Sequence, residues 1–446
     1  MVTRHPRVLA GVRRRPDAVL EMKLTRLYIP LVLALLALGL PVAGCGSSAH
    51  PVSTPASSQP PADGGTTSTA PASTQSASTQ SAASTSTPSA QTAPPGGPAG
   101  GPVPRAFDPV SFTAISERRF WLLGTAPCSS SVCTSIVRTT DGGAHFVGIP
   151  APRAQLASPT GPGLAQLRFA DPLDGFAGDD GPAGPLWETH DGGAHWQVGL
   201  DDVMVFTVSA GHVYALTGRC GSGACSGLEL AVSPASGDHW TTAALPSAAA
   251  SGFPAITAHG SSVWISLTPA TASARSQTLL YSDYAGVHPL VAMASPCVPG
   301  LGGDLQASSD QVVWAVCPTG MMAGAWRSTD AGRHWSPLSG RTASGRRLAM
   351  SNGARLAPSS DTGAVLATGD TGELLRTTDA GASFATVVAP SPSGAQWMWI
   401  GFTDPQTGTA LRADQGPAVG PTHVSPASLW RSSDGGASWH GPIAIG

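Results

Sequence analysis

Hydrophobic and polar positions divide the chain into three stretches. Residues 27–40 (LYIPLVLALLALGL) form an unbroken apolar run behind Lys23 and Arg26. Residues 46–104 are mainly Ser, Thr, Pro, Ala, Gln and Gly, with no aromatic and with Asp63 as the one acidic side chain. From Phe107 onward, short apolar runs are broken every few residues by Gly, Pro and Asp. Runs such as Ile136-Val137-Arg138-Thr139 and His195-Trp196-Gln197-Val198 have strand length and strand composition. This pattern predicts short antiparallel strands joined by tight turns, for example 110–116, 119–125, 134–139 and 144–149.

Within the third stretch an eight-residue pattern recurs, Ser/Thr-x-Asp-x-Gly-x-x-Trp/Phe. Its copies are Thr139…Asp141…Gly143…Phe146, Thr189…Asp191…Gly193…Trp196, Ser328…Asp330…Gly332…Trp335, Thr377…Asp379…Gly381…Phe384 and Ser432…Asp434…Gly436…Trp439. Two worn copies fill the gap between the second and third. Ser233-Pro-Ala235-Ser-Gly237-Asp-His-Trp240 lacks the Asp, and Tyr281-Ser-Asp283-Tyr-Ala-Gly286 lacks the Trp. The copies recur at about 50 residues, the length of a four-stranded propeller blade. The chemistry suits a hairpin turn. A short carboxylate accepts bonds from turn N–H groups, Gly takes the positive φ, and the aromatic returns to the core. Asp141, Asp191, Asp330, Asp379 and Asp434 are therefore expected to lock turns, not to catalyse.

The motif resembles the Asp-box, or BNR repeat, of sialidases, sortilin-type receptors and photosystem II assembly-factor-like propellers. That resemblance covers residues 107–446 and implies an all-β, seven-bladed β-propeller of four-stranded antiparallel blades, with six or eight blades as the neighbouring alternatives. It specifies a fold and leaves function open. A second echo, Phe169-Ala-Asp171-Pro-Leu-Asp-Gly175 and Phe402-Thr-Asp404-Pro-Gln-Thr-Gly408, fits the turn between first and second strands.

The first stretch supplies an address. Fourteen apolar residues are short for a membrane span but fit the core of an export signal. Val42-Ala43-Gly44-Cys45 follows and looks like a bacterial lipobox, which implies lipidation at Cys45; an ordinary signal peptide with a chance cysteine is the alternative. Met22-Lys23 fits the start of such a signal, which would make residues 1–21 an upstream extension. The expected organisation is a signal over 1–44, a lipidated tether over 45–106 and the propeller over 107–446. Nothing in the tether buries enough apolar surface to offset chain entropy, and its random-coil reach is about 40 Å.

Beyond residue 44 the chain holds 17 Arg and no Lys against 25 acidic residues, a net charge of −8. That balance excludes nucleic acid as a partner and makes the lipid, rather than basic patches, the membrane anchor. Six cysteines remain after Cys45. Pairing neighbours gives Cys128–Cys133, Cys220–Cys225 and Cys297–Cys317, the simplest of several connectivities and one suited to an oxidising compartment.

In propellers the face opposite the Asp-box turns is where ligands usually bind. By position, that face is expected to collect Arg153, Asp179, Asp180, Arg219 and Arg275, and from later repeats Arg346, Arg347, Asp370, Arg412 and Asp414. A sialidase would need three converging arginines, a Tyr–Glu pair and an Asp. Arg138, Arg327, Arg376 and Arg431 directly precede Asp-boxes and read as structural, while Tyr214, Tyr281 and Tyr284 fall away from the ligand face. His145, His195, His239 and His334 occupy one repeat position on different blades and cannot meet at one ion. No catalytic residue, cofactor or metal is assigned. The expectation is a non-catalytic binding module for a cell-envelope protein or glycan, with a sialidase-like glycoside hydrolase as the alternative.

Overall fold

The computed structural model describes residues 97–445, except 130, 158–162, 180, 182, 222–223, 247–252, 269–277, 299–301, 352, 370, 392–393 and 414–426. Cys45, the expected export signal and nearly all of the expected tether lie outside the described residues.

Every regular element among the described residues is a β-strand. The first sheet is β1 (Asp108–Ala114), β2 (Phe120–Cys128), β3 (Ser131–Thr139) and β4 (Val147–Ile149). A seven-stranded sheet follows, built from β5 (Gln166–Phe169), β6 (Gly175–Gly178), β7 (Gly184–Thr189), β8 (Gln197–Ser209), β9 (His212–Gly221), β10 (Ala224–Pro234) and β11 (Thr241–Ala244). Next come β12 (Phe253–His259), β13 (Ser262–Thr268), β14 (Thr278–Ser282) and β15 (Val291–Ala294), then β16 (Asp304–Ala307), β17 (Val313–Pro318), β18 (Ala323–Ser328) and β19 (Ser336–Pro337). The last two sheets are β20 (Arg355–Pro358), β21 (Ala364–Ala367), β22 (Leu374–Thr377) and β23 (Ala385–Val388), and β24 (Gln396–Phe402), β25 (Gly408–Ala413), β26 (Ala427–Ser432) and β27 (His440–Ile443). All named pairs are antiparallel, and within each sheet every strand pairs with its neighbours in sequence.

Strand β8 explains the seven-stranded sheet. Its first part pairs with β7 through Gln197 and Val198, and its last part pairs with β9 from Val203 to Ser209. The strand ends one group of four and begins another. First strands neighbour one another in series, β1 to β5, β5 to β8, β8 to β12, β12 to β16, β16 to β20, β20 to β24, and β24 back to β1. Sheets arranged radially about a closed ring of first strands define a β-propeller.

The core is correspondingly a ring of clusters between successive sheets. Trp121 of β2 stacks on Phe169 of β5 at 3.9 Å with the rings 3° from parallel. Trp264 and Tyr281 pack with Val313 and Cys317 of the next sheet, and Trp314 with Leu356 and Leu366 of the one after. One cluster joins the ends of the chain: Phe112, Phe120 and Leu122 of the first sheet bury against Leu411 and Leu429 of the last. Full burial of each such side chain contributes about 1.5–3 kcal/mol. The Asp108 carboxylate adds a polar clasp by accepting from the Ala427 amide at 2.9 Å.

Two boundaries differ from those that composition implies. Strand β4 begins at Val147 rather than 144, because the preceding residues are consumed by the turn. Residues 97–105, tether by composition, lie against the first sheet. Gly101 and Gly148 exchange backbone bonds at 2.8 and 3.0 Å, and the Arg138 guanidinium donates to the Pro98 carbonyl at 2.6 Å. Small Gly and Pro residues let this backbone cover the open edge of β4, which would otherwise expose unpaired groups.

Candidate functional site

The five intact eight-residue turns share one hydrogen-bond network. In the first, Thr139 Oγ1 accepts from the Gly143 amide at 3.0 Å and donates to Asp141 Oδ1 at 2.8 Å, which also accepts from the His145 amide at 3.0 Å. The last repeats it with Ser432, Asp434, Gly436 and Ser438. The other carboxylate oxygen takes the side chain at position seven, either imidazole Nδ1 (His145, His195, His334) or hydroxyl (Ser383, Ser438). Position five is glycine at φ between 83 and 93° in all five copies, the left-handed region that a side chain resists.

The worn copies survive by a different bond. In every intact copy the position-four amide donates to a carbonyl in the adjacent turn between first and second strands, as Gly142 does to Arg118. Ala235 and Ala285 make the same bond, to Gly211 and Ser261. Those adjacent turns carry their own locks. Asp171 accepts from the Leu173 and Asp174 amides, and Asp404 from the Gln406 and Thr407 amides. Ser116, Ser309 and Ser360 perform this task in three other sheets, a substitution the sequence pattern does not reveal.

Each arginine that precedes an intact turn reaches toward a neighbouring structure. Arg327 donates to the Asp361 carbonyl, Arg376 to that of Gly435, and Arg431 to those of Gly142 and Glu117. These side chains hold sheet to sheet.

The disulfides occupy the opposite end of the sheets. Cys128–Cys133 spans the β2–β3 hairpin, and Cys297–Cys317 joins the segment before β16 to the end of β17. Cys225 is also disulfide-bonded, and the β9–β10 register places it directly opposite Cys220.

A cavity of about 800 Å³ runs along the axis, lined by the first strands of successive groups. Its walls carry Gln166, Arg168, Thr207, Thr257, Asp304, Gln306 and Arg355, with Trp399 and Phe402 among the apolar members. None of the described residues expected on the ligand face lines it. Asp179 is buried and accepts from the Gly163 amide. Arg346 is paired with the buried Glu373, which also accepts from Thr386. Arg412 lies over Trp397 and Trp430, 5.3 Å from each ring. Arg347 borders a separate cavity of about 480 Å³ beside Trp326 and Leu338. Arg153 and Arg219 are exposed, and Asp180, Arg275, Asp370 and Asp414 lie outside the described residues. Sequence position placed these groups near loops. For Asp179 and Arg346 the partner, a backbone amide in one case and a buried carboxylate in the other, decides where the side chain points. Alternation does mark the axial residues, since Gln166 and Arg168 are one pleat apart on β5.

No protein-family model matches the chain, and no curated protein matches it. Among solved structures it is similar to a Ycf48 chain bound to D1 peptide, with 16% identity over 74% of this chain and 95% of that one, at a TM-score of 0.48. Ycf48 from Cyanidioschyzon merolae is 14% identical over 70% of this chain and 95% of that one, at 0.46. A GH74 xyloglucanase from Xanthomonas campestris is 11% identical over 75% of this chain and 72% of that one, at 0.29. The propeller assignment rests on the ring of sheets itself.

Proposed function

We propose that the protein is a seven-bladed Asp-box propeller, tethered outside the cytoplasm by lipid on Cys45, that binds a protein or glycan of the cell envelope without catalysing a reaction. In this reading the seven-stranded sheet is two blades sharing β8, and the bound partner belongs to a membrane complex that the propeller helps to assemble or stabilise.

The observation that carries the reading is the lining of the axial cavity. Among the described residues it holds one carboxylate, Asp304, and no tyrosine. Glycoside cleavage uses two carboxylates, or in sialidases a tyrosine nucleophile with its acidic partner. Amides, hydroxyls, two arginines and exposed backbone edges are groups that recognise a chain by hydrogen bonding.

The test is co-purification with the full-length protein from detergent-solubilised envelope of the cells that make it. A partner retained by the parent protein and lost with Arg355→Glu, on the cavity wall, supports the reading. Repeated recovery of no specific partner, or turnover of a glycoside by the purified protein, overturns it.

A further inference from the structure

The sequence pattern assigns no metal, yet the fold brings together three side chains able to ligate one, from two distant segments. Glu188 lies near the end of β7, His190 follows that strand, and Asp238 belongs to the worn turn after β10. One donor atom from each lies within 4.8 Å of the others. The cluster sits where the two halves of the seven-stranded sheet meet, on the side of the eight-residue turns.

Each member is set up differently. Glu188 is 1% exposed; its Oε1 accepts from Gln197 at 3.2 Å, and its buried Oε2 has no hydrogen-bond partner. Burial pushes this carboxyl up from its ordinary value, and the charge of Asp238 adds to the shift. Gly199 makes room for it, since a Cβ there would come within 2.0 Å of Glu188 Oε2. His190 presents Nδ1 to the buried Asp174 carboxylate at 2.8 Å. A carboxylate accepts, so Nδ1 carries the proton in this contact, and in the neutral ring Nε2 keeps its lone pair, the arrangement by which carboxylates orient metal-bound histidines. Nε2 lies 3.1 Å from Asp238 Oδ1 without hydrogen-bond geometry. Asp238, on an exposed turn, has the freedom to close the set and leaves an entry path from solvent.

We propose that Glu188, His190 and Asp238 bind a divalent transition-metal ion, with Asp174 as the residue that positions His190. One imidazole and two carboxylates suit Zn²⁺, which takes such ligands at about 2.0–2.2 Å and keeps a further position for water. The buried Oε2 of Glu188 gains the partner it lacks, and the ion clamps the turn around Asp238 to β7.

The experiment is calorimetric titration of the full-length, metal-stripped protein, purified without a polyhistidine tag, with ZnCl₂, alongside thermal unfolding. The parent protein should bind one ion saturably and unfold at a higher temperature. Glu188→Gln and Asp238→Asn should each weaken binding tenfold or more, and Asp174→Asn should weaken it about 10–100-fold. Asp238 is exposed, so its variant folds even if Glu188→Gln does not. No saturable binding at millimolar zinc overturns the proposal. So does binding unchanged in Asp238→Asn, which would assign the heat to exposed pairs such as His145–Asp141.

Discussion

The guanidinium of Arg431 donates to the carbonyl of Gly142 at 2.7 Å, across 289 residues of sequence. It also donates to Glu117 at 2.8 Å and lies 5.0 Å from the centre of the Phe120 ring. The last sheet is thereby fastened to the first by a charged donor on two backbone carbonyls. Replacing Arg431 with Met keeps the stem and removes both bonds. The expected loss is about 2–3 kcal/mol in urea unfolding. A loss under about 0.5 kcal/mol, the bottom of the range for an ordinary hydrogen bond, would show that the apolar closure cluster suffices alone.

Acid should weaken the turns in a defined window. Bonds from the Ser438 hydroxyl and amide, then from the Ser432 hydroxyl, hold the Asp434 carboxyl down to about 2. Its folded value lies below the ordinary 3.8, so its contribution is full above about pH 4 and is lost as pH falls toward 2. Asp330 behaves likewise; partial burial raises it, but bonds from His334 and Ser328 outweigh that and bring it to about 2. Carboxyl NMR titration should find both groups ionised at pH 3. Ordinary midpoints near 4 would contradict the network.

Ala380 occupies position four of its turn at φ 60°, where three of the five intact copies have glycine. An L-residue in that conformation is strained by about 1–2 kcal/mol, and the Ala380 side chain is only half-buried. Ala380→Gly should therefore raise stability by about 0.5–1 kcal/mol, after the entropy that glycine gains on unfolding. Ala331, at the same φ, is fully buried among Trp264 and Leu279, so its glycine variant should gain less. Thermal unfolding of the two variants side by side decides the matter; a larger gain at 331 would refute the strain argument.

Removing Cys297–Cys317, which closes a loop of 20 residues, should cost about 3 kcal/mol by the loop-entropy relation. Cys128–Cys133 closes five, for which the relation gives about 2 kcal/mol. Both Cys297 and Cys317 are buried, so their double-alanine variant also loses core packing. Denaturant curves for the two double-alanine variants should rank in that order, and the reverse order would count against it.

Local chemistry was legible in the sequence because it depends on residues a few positions apart. Ser/Thr, Asp and Gly at fixed spacing build the same turn in five sheets, since all their partners lie within four residues. The period of the motif marked the repeating unit, and the cysteine order marked the bridges Cys128–Cys133 and Cys297–Cys317. The candidate binding residues were less legible. Asp179 was placed by its loop but is turned inward, and Arg346 is held by Glu373, a partner 27 residues away.

What the sequence determined by itself was thus the unit, a strand–turn–strand module whose bonds are local and whose apolar faces require neighbours. What the tertiary structure alone decided was which distant groups meet. Closure of the ring put Arg431 on Gly142 and gathered Gln166, Asp304 and Arg355 around one axis. The shared strand β8 joins the groups of four that carry Glu188 and Asp238, and the fold brings Asp238 beside Glu188 and His190. These contacts span from about fifty to about three hundred residues and depend on how sheets pack radially, a long-range arrangement that no local pattern of side chains encodes.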